Sequence, residues 1–273
     1  LADGSNKTTG ITGTWSGVTS VTGNGSNSTI TGSTTFALSG VNAGSSGGVT
    51  FTGFTAADAA TVTGASGFDD SAKSSEGMTF ANATTVGGSG TIANVAGSFD
   101  DNASTSSTSH IVYSGFGAVT GTGGSVTDVT GSFDLGTKVS AATGMDYSGF
   151  NVATVASSDT GAMITGSGQT YTFSVADAGN NGTVAWTSFG NITDSGAGTL
   201  VAANQTWALT GANQGTVGDL SGTFTGIGSL TDTGTGYVAM HSGADGSLSG
   251  SLNAGSQGTL DYTGYTTAVN VNL

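Results

Sequence analysis

Tyr147-Ser148-Gly149-Phe150 sets two aromatics apart by two small residues, and the phrase returns along the whole chain. Phe51-Thr52-Gly53-Phe54, Tyr113-Ser114-Gly115-Phe116, Trp186-Thr187-Ser188-Phe189 and Tyr262-Thr263-Gly264-Tyr265 are near copies. Ile11-Thr12-Gly13-Thr14-Trp15 and Leu220-Ser221-Gly222-Thr223-Phe224 carry one extra residue, and Met78-Thr79-Phe80 is a degenerate copy. The closing aromatics are Trp15, Phe54, Phe80, Phe116, Phe150, Phe189, Phe224 and Tyr265. They recur about every 36 residues, a period at which one supersecondary unit stacks on the next to bury a continuous core. We read these eight as structural core residues, because large rings supply the buried area that a chain of small residues otherwise lacks.

A second signature lies between the phrases: Phe36-Ala37-Leu38, Phe68-Asp69-Asp70, Phe99-Asp100-Asp101, Phe133-Asp134-Leu135, Phe173-Ser174-Val175 and Trp207-Ala208-Leu209. Gly/Asn-rich stretches at 40–44, 177–182 and 211–215 follow three of these and read as linkers. Each repeat then holds three short runs of period-2 alternation separated by turn residues, and no stretch carries helix caps with a 3.6-residue apolar stripe. The expected fold is all-β: a right-handed parallel β-helix, a three-sided β-solenoid of about eight turns, with no helices of note. It is expected as one domain over residues 1–273, with an N-terminal arm over 1–10 and repeats over 11–273. The chain has no Pro, as a ladder that needs every backbone N–H requires.

Composition excludes several functions. Only 7% of residues are charged, the net charge is −14, and the three cations are Lys7, Lys73 and Lys138. Nucleic-acid binding needs a basic face, so that class is set aside. No apolar run is long enough to cross a bilayer, so no membrane insertion is expected. There is no Cys, one Glu (Glu76) and two His (His110, His241), which leaves catalysis poorly supplied and points to a non-enzyme. Asp pairs such as Asp69/Asp70 read as solvated turn residues.

Three binding possibilities remain. Asp69, Asp100 and Asp134 follow equivalent Phe residues, and stacking them would set like charges about one strand spacing apart. A bound Ca²⁺ would relieve that repulsion, and no other cofactor is expected. The alternative is that each carboxylate accepts backbone N–H groups in an Asx-turn. Outward Thr-x-Thr strings such as Thr61-Val62-Thr63 could order water against ice, although Thr also suits any β surface. Exposure of two or more of Trp15, Trp186 and Trp207 on one face would make a glycan platform.

The pattern Phe/Trp-x-Leu-Thr/Ser-Gly-x-Asn-x-Gly, then a Gly-rich loop, an aromatic phrase and a Thr-Gly close, resembles the repeats of very large bacterial surface proteins. These are the filamentous-haemagglutinin-like adhesins and related β-strand-repeat proteins. Residues 206–228 and Leu260-Asp261-Tyr262-Thr263-Gly264-Tyr265, with Val269 and Val271, carry the resemblance best. It implies a right-handed parallel β-helix at the cell surface or in the matrix, and it transfers no catalytic residues. The expected function is a structural extracellular protein whose copies join head to tail into a filament or surface layer. The alternative is a segment of a giant adhesin binding a surface or glycan.

Overall fold

In the computed structural model, which describes residues 16–31, 35–155, 159–240 and 245–271, the alternating runs are strands, and the described residues contain no helix. Val49–Thr52 shows why: Val49 and Phe51 are buried while Thr50 and Thr52 are exposed, the signature of a half-buried strand. Stacked parallel strands form a β-solenoid of about 8 turns. The chain divides into two compact units, Leu1–Gly124 with Tyr147–Gly149, and Ser125–Asp146 with Phe150–Leu273.

In the first unit, Thr35–Gly40, Thr61–Ala65, Thr85–Gly88 and Val112–Ser114 pair in parallel. Their register lines up Phe36, Val62, Val86 and Tyr113 as one buried column. A second series aligns Phe68, Ile92 and Val119. In the second unit, one parallel series aligns Tyr171, Leu200, Leu230 and Leu252, and another aligns Phe133, Ile164, Ile192 and Phe224.

The parallel stack is interrupted by antiparallel meanders. Three have tight first turns: Thr35–Gly40, Ala43–Ser46 and Val49–Thr52; Thr170–Val175, Ala178–Asn180 and Ala185–Thr187; Thr206–Gly211, Gln214–Val217 and Phe224–Asp232. Three have longer first turns: Phe68–Asp69, Ser74–Ser75 and Met78–Phe80; Phe99–Asp100, Thr105–Ser106 and Val112–Ser114; Ser132–Asp134, Val139–Ser140 and Asp146–Val155. Each opens on the Phe-x-Leu/Asp signature and closes on the aromatic phrase. The order of pairing is unusual. The first strand of a meander pairs with a strand later in the chain, Thr35–Gly40 with Thr61–Ala65. The third pairs with an earlier one, Val49–Thr52 with Ser20–Thr22. The chain therefore overshoots along the stack and doubles back to fill the gap.

One expectation is corrected by this. The stretches 40–44, 177–182 and 211–215 are not linkers; they form the hairpin turns that lead into, or include, the middle strands. Thr35–Gly40 pairs in parallel with Thr61–Ala65 and, through the antiparallel strand Ala43–Ser46, is joined to Val49–Thr52, so the three runs of this repeat share one hydrogen-bonded series. The reversal needs a residue in the left-handed region, and Asn42 (φ 54°), Asp177 (φ 54°) and Asn213 (φ 55°) supply it at the tight turns. Each of the three also docks its turn on a neighbouring one. The Asn42, Asp177 and Asn213 N–H groups donate to the Glu76, Asp219 and Ser247 carbonyls at 2.7, 2.8 and 2.8 Å.

Of the closing aromatics, Phe80, Phe116, Phe150, Phe189 and Phe224 are buried. Phe54 and Tyr265 are half-buried, and Trp15 lies outside the described residues. The leading aromatics Phe51, Tyr113, Tyr147 and Trp186 are buried as well. Within the phrase, Gly149 has φ 74°, and a Cβ there would overlap the Gly121 carbonyl oxygen. This close approach between turns is why a Gly separates the rings.

Candidate functional site

The three aspartates proposed for Ca²⁺ cap the longer meander turns. Asp69 Oδ1 accepts the Ala72 N–H at 2.8 Å, and its Oδ2 accepts from Asn94 Nδ2 at 2.7 Å. Asp100 Oδ1 accepts the Ala103 N–H at 2.7 Å. Asp134 Oδ1 accepts the Gly136 and Thr137 N–H groups at 2.9 and 2.7 Å. Burial raises the Asp69 pKa, but the Ala72 N–H and the Asn94 amide outweigh it and hold the carboxyl below its ordinary value. The register does not stack Asp69 on Asp100: the parallel partner of Asp69 is Ala93. Among the described residues, no group of three or more His, Cys, Asp or Glu is placed to hold a metal ion.

The aspartates that organise the interior are others. Asp70 is buried and accepts from Tyr113 Oη at 2.5 Å, from Ser106 Oγ at 2.8 Å and from Ser109 Oγ. Asp101, also buried, accepts from Tyr147 Oη at 2.5 Å. The second Asp of each Phe-Asp-Asp thus meets the Tyr that opens a later phrase. Where the third such signature has Leu135 instead, the corresponding phrase, the second one after it, opens on Trp186. Its Nε1 is the buried side-chain polar atom without a partner among the described residues.

Two further carboxylates form matching clasps. Asp194 accepts the N–H groups of Gly168 (2.8 Å), Gln169 (2.9 Å) and Gly196 (2.7 Å), and Tyr171 Oη at 3.0 Å. Asp232 accepts those of Asn204 (2.8 Å), Gln205 (2.7 Å) and Gly234 (2.8 Å), and Trp207 Nε1 at 3.2 Å. Burial works against the charge in both, yet the three N–H donors prevail and hold each carboxyl below its ordinary range. Burial and the Asp194 charge push the Tyr171 hydroxyl up, so it stays a donor. Sequence reasoning missed these clasps. The legible signal is the recurrence of Gly168-Gln169-Thr170-Tyr171 as Asn204-Gln205-Thr206-Trp207, each followed by an Asp-x-Gly.

Other candidates resolve simply. Trp186 and Trp207 are fully buried, so they make no exposed aromatic platform. Glu76 sits in a two-residue turn with Gly77 (φ 49° and 75°) and accepts from Ser66. His110 is a left-handed turn residue (φ 58°), and His241 lies outside the described residues. Outward threonines bond across strands, as Thr193 and Thr225 do at 2.9 Å. One concavity of about 390 Å³ lies on the outer face of Thr29–Thr31, Ala56–Asp58 and Met78–Phe80, bounded by the first turn of the second meander with Lys73. No protein family, curated protein or solved structure matches the chain.

Proposed function

We propose that the chain is a structural, non-catalytic extracellular protein that joins copies end to end into a filament or surface layer. The observation that carries this reading is a core column that runs out at an open ladder. Trp207, Val238 and Leu260 are successive members of one column; the first two are fully buried and Leu260 is 44% exposed. Its strand, Thr259–Asp261, pairs with Tyr237–Ala239 and with no other described strand. Among the described strands, Ser20–Thr22 likewise pairs only with Val49–Thr52. Both edge strands present an apolar residue between two polar ones, Thr-Leu-Asp and Ser-Val-Thr, so a second copy could extend the column in register. Such a head-to-tail contact does not close and propagates as a fibre.

Electron microscopy of the purified chain, with sedimentation over a range of concentrations, tests this. Fibres that disappear in Leu260→Lys support the reading. Monodisperse single chains at every concentration overturn it in favour of a surface-displayed segment.

A further inference from the structure

We propose that the concavity beside Lys73 is a binding site for an acidic sugar residue, a uronic acid within a polysaccharide. The volume, about 390 Å³, falls within the range of small-ligand sites. Its floor is the outward side of three parallel strands, and there the surface changes character. Most outward positions of the unit carry Thr or Ser, but Ala56 and Ala81 line this floor. Side chains this small leave room for a pyranose ring to lie flat, with its apolar face on the methyl groups.

The polar groups around that floor complement such a ring. Lys73, at the turn, is one of three cations in a chain of net charge −14, so a local positive charge here is a marked departure from the rest of the surface. Its backbone is left-handed (φ 47°), a conformation that Gly or Asn would take with less strain. Turn geometry alone therefore does not call for Lys. An ammonium suits a carboxylate. Asp58, on the opposite side of the chemistry, is acceptor-only when ionised. Its Oδ1 takes the Asn82 amide at 2.6 Å, and no hydrogen bond to its Oδ2 is formed among the described residues. Ring hydroxyls are the matching donors. Thr29 and Thr79 each add a hydroxyl that donates or accepts. One cation, one acceptor and two adaptable hydroxyls over an Ala floor describe a monoanionic, hydroxyl-rich ligand better than a polyanion, which the net charge would repel.

The test is titration calorimetry of the full chain with a galactose oligomer that carries a single galacturonate residue, and with the neutral galactose oligomer of the same length. Saturable binding of the uronate alone is expected. Lys73→Gln should weaken it about tenfold to a hundredfold, the loss of one charge-assisted hydrogen bond, and Lys73→Arg should restore most of it. Lys138→Gln, which alters the matching left-handed turn position of another meander, should leave it unchanged. No binding of the uronate, equal binding of the neutral oligomer, or full affinity in Lys73→Gln would each overturn the assignment. None of these readouts depends on whether copies assemble.

Discussion

The carboxylates that hold this protein together are not those that stand out in its sequence. Asp69, Asp100 and Asp134 cap exposed turns, whereas Asp194 and Asp232 each gather three backbone N–H groups and one aromatic donor in a buried clasp. The sign of their pH dependence follows from the direction of the shift. Folding lowers both pKa values below the ordinary 3.8, so the stabilisation is complete above that value and is lost as pH falls through it toward the folded value. The melting temperature is therefore expected to hold from pH 7 to about 5 and to fall below it. A melting temperature that rises between pH 5 and 3 would contradict this. Asp232→Asn cannot accept from all four donors, and is expected to lose about 1–3 kcal/mol at pH 7, read by denaturant unfolding. The same substitution should also reduce the acid sensitivity, because one of the two titrating clasps has gone.

The meander is the element that the sequence hides. Period-2 alternation in Phe36-Ala37-Leu38 and Val49-Thr50-Phe51 marks strands and their buried faces, and both sets are buried as expected. Alternation is the same for a strand that runs parallel to its neighbour and for one that doubles back, so direction was not legible. What distinguishes them is the turn: Val41-Asn42, Ala176-Asp177 and Ala212-Asn213 are two-residue loops, too short for a crossover to the next turn of a solenoid. The middle strand gives a second clue. Gly44, Gly179 and Gly215 lie directly opposite Phe51, Trp186 and Phe224, and each ring lies over the Gly. A Cβ on Gly44 would stand 2.7 Å from Phe51 Cζ and overlap the Ala37 carbonyl oxygen. Gly44→Ala is therefore expected to destabilise by about 1–3 kcal/mol, the cost of overpacking a filled core. Gly117→Ala, where a Cβ would meet nothing within 4 Å, should change stability by less than about 0.5 kcal/mol. Equal effects of the two substitutions in chemical denaturation would show that the ring does not need the Gly beneath it. The buried clasps were harder to read for a related reason: most of their donors are backbone N–H groups brought together by register, and only the recurrence of Gln-Thr-Tyr/Trp ahead of an Asp-x-Gly marks them in the sequence.

For the whole molecule, composition sets the conditions under which the proposed assembly operates. Copies carrying −14 repel one another, and with only three Lys there is little to offset that charge across an interface. The proposed contact is instead apolar and backbone-mediated: Leu260 and an open ladder edge. Salt therefore acts on the repulsion and hardly on the attraction. The Debye length shrinks from about 30 Å at 0.01 M to about 8 Å at 0.15 M, so fibre growth is expected to accelerate steeply over that range and then level off. Light scattering during a salt titration, with Leu260→Lys as the non-assembling control, measures it. Binding of an acidic sugar at Lys73 depends on a local attraction that the same salt weakens. The two processes should thus respond to salt in opposite directions, which separates them in one preparation. Fibre growth that slows as salt rises would mean that ion pairs hold the copies together, and the apolar edge would then be the wrong interface.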